Sequence, residues 1–242
     1  MKAMIFAAGL GTRLRPLTND KPKALVQVEG MPLLEILIRR LIWFGVDEII
    51  VNVHHFSDQI ISFLKANKNF NINIQVSDES ELLLDTGGGL KKAAPFFDDN
   101  PFLVINTDII SNLNLKAFYS YHLRNQGIAT IATRNRSTSR YFLFNELQEL
   151  VGWTNVKTKE IKTSKPSHLQ IKRAFSGIHI ISPKLFEYFP DEAIFSIVDV
   201  YLHAAKTESI YSFEHDEDLW IDVGKIPELE KAKTFLRQIE LA

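Results

Sequence analysis

A continuous apolar run from Lys2 to Ala8 breaks on Gly9-Leu10-Gly11, and the same succession of apolar run, turn and helical pattern recurs along the chain. A run without alternation suits a strand buried on both faces. Leu33, Leu34, Leu37, Ile38, Leu41 and Ile42 then fall on one stripe at helical spacing, which predicts a helix packed on that sheet. Further strands are expected at Glu48 to Val53, Asn71 to Val76, Phe102 to Asn106 and Ile128 to Thr133. Helical patterns near Ser57 to Lys65, Gly87 to Ala94 and Leu115 to Asn125 alternate with them. This alternation predicts an α/β fold, a mostly parallel sheet with covering helices.

After Thr133 the texture changes. Arg140 to Phe144, Leu147 to Trp153, Glu160 to Lys162 and Ala174 to Ile181 read as strands separated by polar turns, hence hairpins appended to the core. Short helices near Pro183 to Phe189 and Phe195 to Lys206 follow, then a strand at Ser209 to Phe213. An amphipathic helix carrying Leu229, Ala232, Leu236 and Ile239 closes the chain. No internal repeat and no Pro/Gly linker divides it, so residues 1–242 are expected to form one domain.

Composition narrows the function classes. With 45% hydrophobic and 24% charged residues, neither disorder nor a membrane class is favoured. A net charge of −1 gives no electrostatic reason for a nucleic-acid or membrane partner, so any anion site must be local. The absence of cysteine removes disulfides, thiolate metal sites and cysteine nucleophiles, and is compatible with a reducing cytoplasm. Arg13 and Arg15 follow the Ala3 to Leu10 run at once without a small-residue cleavage pattern, so a strand is expected there rather than a secretion signal. A cytoplasmic protein, monomeric or a small homo-oligomer, is the expectation.

The strongest local signal is Ala7-Ala8-Gly9-Leu10-Gly11-Thr12-Arg13-Leu14-Arg15-Pro16-Leu17-Thr18, followed by Lys21-Pro22-Lys23-Ala24-Leu25. Glycines past the carboxyl end of a first strand let the backbone approach a ligand, and successive N–H groups there cradle phosphate oxygens. Arg13 and Lys23 add positive charge. A dinucleotide loop would need glycine at position 14, which is Leu, and a Walker A loop would need Gly-Lys-Ser/Thr, which is absent. An isolated Gly-x-Gly is equally well a tight connection. The whole run is far more specific.

These residues resemble the signature loop of the sugar 1-phosphate nucleotidyltransferases, with Ala24 where many members have a second proline. Asn106-Thr107-Asp108 at the end of an expected strand matches the place of that family's metal-binding Asp, and Trp220-Ile221-Asp222-Val223-Gly224 matches its second acidic motif. Asp85-Thr86-Gly87-Gly88-Gly89 and Phe175-Ser176-Gly177-Ile178 look most like the short N-acetylmuramate 1-phosphate uridylyltransferases and their mannose 1-phosphate guanylyltransferase relatives.

The resemblance implies a Rossmann-like nucleotide-diphospho-sugar transferase fold, with residues 1–133 mainly binding nucleotide and 134–242 mainly binding sugar phosphate. It also implies a nucleotide site at Ala8, Gly9, Gly11, Thr12, Arg13, Thr86, Gly87 and Gly88, and a sugar-phosphate site at Lys23 and Gly177. Lys23, Arg13 and Asp108 would be catalytic, and Asp108 and Asp222 would hold magnesium. The expected partners are a nucleoside triphosphate and a sugar 1-phosphate.

The chemistry accounts for these residue types. A phosphate oxygen must attack the α-phosphorus of a triphosphate, so repulsion between two polyanions is the main obstacle, and positioning and charge neutralisation serve better than a protein nucleophile. Magnesium prefers oxygen ligands and keeps waters, so two carboxylates suffice beside phosphate oxygens.

Plainer readings stand beside these. Asp108 and Asp222 are also placed to cap the helices that follow them. His54 and His55, adjacent on a strand end, are read as structural. Trp153 and Trp220 are read as packing residues rather than sugar platforms. The family's Glu-Lys-Pro segment is reduced to Ser164-Lys165-Pro166, and no base-reading glutamine occurs in Glu81-Leu82-Leu83-Leu84-Asp85, which leaves the base to backbone groups near Thr86 to Gly88. The rival readings are a catalytically silent nucleotide-sugar sensor and a cytidylyltransferase acting on an alcohol phosphate.

Overall fold

Lys2–Phe6 forms the first strand, and its middle residues Ala3, Met4 and Ile5 have no exposed surface. The computed structural model describes residues 1–242 and gathers into two units. One takes in Met1–Leu84, Leu103–Leu113 and Asp218–Ala242, the other Asp85–Phe102 and Asn114–Glu217. Both 103–113 and 218–242 thus return to the unit of the first strand.

In the first unit Lys2–Phe6 is central. It runs parallel to Glu48–Val53 on one side and to Phe102–Asn106 on the other, and Asn73–Asp78 extends the parallel ladder beyond Glu48–Val53. The helix Leu33–Trp43 buries Leu34, Ile38 and Leu41 completely, as its apolar stripe requires. Ser57–Ala66 is the second helix. Ile109–Ser111 and Trp220–Asp222 pair antiparallel as a separate two-stranded ladder. The closing helix Ile226–Leu236 buries Leu229 and Ala232 in one cluster with Leu14, Val26, Val28, Ile110, Ile221 and Val223. Ile239 packs on that cluster from beyond the helix end.

In the second unit the long strand Ile171–Ile181 lies antiparallel to both Ala129–Arg134 and Arg140–Phe144. Leu150–Asn155 and Glu160–Thr163 continue from Arg140–Phe144 as antiparallel hairpins, and Ile210–Glu214 runs parallel to Ala129–Arg134. Asp85–Ala93, Leu115–Asn125 and Ile197–Ala204 are its α-helices, while Pro183–Tyr188 winds as 3-10 turns. The strand expected from Leu147 begins only at Leu150. The Asn145 side chain accepts the N–H groups of Leu147 and Glu149 at 3.0 and 2.8 Å, which commits those residues to a turn.

Candidate active site

The chain leaves the sheet sharply after Phe6. The Phe6 carbonyl accepts the Thr107 N–H at 3.1 Å, and the Asn52 side-chain oxygen takes the Ala7 N–H at 2.8 Å in place of a ladder partner. Ala8 is buried, whereas Gly9 and Thr12 are exposed, and a side chain at Gly9 would meet nothing within 4 Å. Gly11 has φ +63°, and a Cβ there would stand 3.0 Å from Lys23 Cβ and 3.1 Å from Thr18 Cγ2. Only glycine fits that close approach without strain. Thr18 Oγ1 donates to the Gly11 carbonyl at 2.9 Å and closes the loop, and Leu14, fully buried, pins it to the core. Arg13 on the same turn stays exposed.

Lys23 begins the 3-10 turn Lys23–Leu25, directly after buried Pro22. Its ammonium forms an ion pair with Asp108 Oδ2, both side chains being about six-sevenths buried at 15% and 13% exposure. Asp108 follows the strand Phe102–Asn106, and Asp222 ends the strand opposite, facing Ile109 in register. The Val223 N–H donates to the Asp108 carbonyl at 2.8 Å. Two residues far apart in sequence are thereby brought side by side.

Neither aspartate caps a helix. Asn114 caps Leu115–Asn125, its side chain accepting the Ala117 N–H at 3.0 Å, and Ile226–Leu236 starts after Lys225 without a side-chain cap.

Burial, and then the neighbouring Asp108, push the Asp222 carboxyl above the usual carboxylate range, while Lys23 and Arg13 oppose the shift. Asp222 Oδ1 is buried and has no hydrogen-bond partner. An orphaned carboxylate oxygen beside a second carboxylate is a donor set suited to a hard divalent cation. No group of three or more His, Asp or Glu side chains gathers for a metal, so water and phosphate oxygens would supply the other positions. A Cβ at Gly224 would come 2.6 Å from Asp222 Oδ1 and 2.7 Å from Arg13 Nη2. The missing side chain is what lets the Arg13 guanidinium lie against this corner.

The remaining expected residues belong to the second unit. Thr86, Gly87 and Gly88 lie in the first turn of Asp85–Ala93. Their polar groups are engaged within the protein: the Gly87 and Gly88 N–H groups donate to the Phe195 carbonyl at 2.9 and 3.3 Å, and Thr86 Oγ1 accepts the Ile197 N–H at 3.1 Å. Glycine is needed at position 87 because the Phe195 ring and carbonyl press on the helix, a Cβ there falling 2.8 Å from that carbonyl oxygen. Gly177 has φ +76° and sits where the register between Ile171–Ile181 and Ala129–Arg134 shifts, beside Ser176, which hydrogen-bonds His215 Nε2 at 2.7 Å.

Asn52 and Glu79 escaped the sequence reading. Asn52 is the one amide in a mostly apolar buried strand, but nothing local marked Glu79 as its partner.

Residues 2–239 match the family described as nucleotidyl transferase. The chain is similar to a UTP–glucose-1-phosphate uridylyltransferase of Synechocystis sp., 31% identical over 249 residues that cover 96% of this chain and 62% of that protein. It is also similar to an N-acetylmuramate alpha-1-phosphate uridylyltransferase of Caulobacter vibrioides, 46% identical over 110 residues, 45% of this chain and 46% of the other. The chain thus spans less than two thirds of the length of either relative. Among solved structures it resembles HddC from Yersinia pseudotuberculosis complexed with GMP-PN, with TM-score 0.77 and 25% identity over 96% of this chain and 98% of that one. A family match that runs from the first strand to the residues after the closing helix leaves no part of the site outside it, and the chain belongs to the nucleotidyl transferase family.

Proposed function

We propose that this protein joins a nucleoside triphosphate to a sugar 1-phosphate, releasing pyrophosphate. The observation that carries this reading is the convergence of Arg13, Lys23, Asp108 and Asp222 behind the open glycine loop Gly9–Thr12, within one unit. In the reaction a sugar-phosphate oxygen forms a bond to the α-phosphorus, and the bond from that phosphorus to the β-phosphate bridging oxygen breaks. Loop N–H groups and Arg13 hold the triphosphate, and Lys23 moves from its Asp108 partner to the reacting phosphates. Asp108 and Asp222 would hold a divalent metal, magnesium being the expected ion, which when bound supplies charge neutralisation at the phosphate oxygens. A silent sensor would have no need of all four charged groups, and their joint retention supports the enzyme.

For the substrate pair the reading is UTP with N-acetylmuramate 1-phosphate. It is supported by Asp85-Thr86-Gly87-Gly88-Gly89, Phe175-Ser176-Gly177-Ile178 and the segment of 46% identity to the Caulobacter vibrioides protein. The likeness to HddC with its guanine nucleotide analogue favours GTP with mannose 1-phosphate as the second reading. Pyrophosphate release across a matrix of triphosphates and sugar phosphates tests both levels. A pocket sized for a pyrimidine should prefer UTP over GTP in kcat/KM by at least about tenfold. Preference for GTP would reject the first pair, and silence across the matrix would reject the transferase.

Gly224 gives a check on the corner that Arg13 shares with Asp222, because a Cβ there would press on both. Gly224→Ala should displace the guanidinium and raise KM for the triphosphate by about ten- to a hundredfold, the scale of one hydrogen bond to a charged group. KM for the sugar phosphate should hold. An unchanged triphosphate KM would remove Arg13 from the nucleotide site.

A further inference from the structure

The end of the strand Glu48–Val53 carries a buried polar chain that the proposed chemistry does not itself use. Asn52 Oδ1 accepts the Ala7 N–H at 2.8 Å, and Asn52 Nδ2 donates to Glu79 Oε1 at 2.7 Å. Glu79 Oε2 in turn accepts the Leu84 N–H at 3.2 Å. Both side chains are buried. The Glu79 backbone is held just as closely: its N–H donates to the Val53 carbonyl at 2.7 Å, and its carbonyl accepts from His54 Nδ1 at 2.7 Å and from the Leu82 N–H at 3.0 Å. One end of the chain therefore fixes the first peptide of the glycine loop, and the other fixes the segment 79–84. That segment lies directly before Asp85-Thr86 in sequence, where no glutamine is present to read a base.

We infer that Asn52 and Glu79 are positioning residues for the triphosphate, setting the phosphate loop and the 79–84 segment in one fixed register before nucleotide arrives. The inference rests on the proposed nucleotide site. Pre-organisation of this kind removes ordering cost from binding, so its loss falls on affinity for the nucleotide and leaves the chemical step alone. A buried amide and carboxylate are also costly unless every lone pair and proton is matched, and the polarity here is matched: amide donors at Ala7, Asn52 and Leu84, oxygen acceptors at Asn52 and Glu79.

That polarity can be reversed without changing volume. Glu79→Gln keeps one acceptor for two donors, so an N–H is left facing an N–H. Asn52→Asp sets two carboxylates against each other. In the double variant the new aspartate accepts from Ala7 and from the new glutamine amide, whose oxygen accepts from Leu84, and every contact is restored. The test is calorimetric titration of each protein with magnesium and UTP, repeated with GTP, together with steady-state kinetics and thermal midpoints.

Each single variant should weaken triphosphate binding and raise its KM by about tenfold, with kcat and the sugar-phosphate KM within about twofold, and the double variant should recover to within about threefold of the wild type. Singles that bind as the wild type does, even with lowered midpoints, would overturn the inference and leave a purely structural brace. A double variant as weak as the two single losses multiplied would overturn it also. A wild type that binds neither triphosphate would instead overturn the function proposed above, and this inference with it.

Discussion

Lys23→Ala is expected to lower kcat by about 10²–10³, the usual scale for losing one pre-organised electrostatic group at a developing charge. The structure sharpens the reason. Lys23 is paired with Asp108, so its charge is held at the corner where the carboxylates meet, from which it would move to the reacting phosphates. Removing it leaves Asp108 and Asp222 side by side with Arg13 as the remaining cation acting on Asp222. KM for the triphosphate should change far less than kcat, because the loop N–H groups and Arg13 persist. Lys23→Arg should recover only part of the rate, since a planar fork does not reproduce a compact ammonium. Initial rates under saturating substrates decide the matter, and undiminished turnover of Lys23→Ala would remove Lys23 from the chemistry.

What could be read from the sequence, and what could not, divides by range. The first strand, the helix Leu33–Trp43 and the strand Glu48–Val53 declare themselves through unbroken apolar runs or helical spacing, which are local signals. The close approach at Gly11 is likewise foreshadowed by a glycine following a strand. The pairing of Ile109–Ser111 with Trp220–Asp222 has no local mark. Each strand is three residues long, and Ile109-Ile110-Ser111 reads equally well as the lead into a helix. Only the fold brings Val223 to the Asp108 carbonyl and so places the two aspartates together.

The same limit hid Asn52 and Glu79, whose partners lie 45 and 27 positions away or on a loop with no periodicity. The triple glycine Gly87-Gly88-Gly89 is ambiguous in the other direction. Its sequence suggests backbone offered to a ligand, while the Gly87 and Gly88 N–H groups are spent on Phe195. Tight packing asks for glycine as strongly as binding does.

Asp108→Asn and Asp222→Asn should each remove most activity, by about 10³ or more, and the double variant should be little worse than the poorer single one. Residues that serve one ion act as a unit, so their losses do not multiply. The geometry argues for the unit: Asp222 stands opposite Ile109, its Oδ1 is buried without a partner, and burial and then the charge of Asp108 raise its carboxyl pKa. Two carboxylates held this close repel, a repulsion that Lys23 and Arg13 oppose, and a neutral substitution relieves it. The metal-free thermal midpoint of Asp222→Asn should therefore stay level or rise, whereas Asp108→Asn also breaks the ion pair with Lys23 and should lower it. Helix caps would behave otherwise, costing about 0.5–2 kcal/mol of stability each with the rate intact. The paired measurement is a magnesium titration of initial rates beside thermal midpoints taken without metal or nucleotide. Rate losses that multiply strictly in the double variant would mean that the two aspartates do not share an ion.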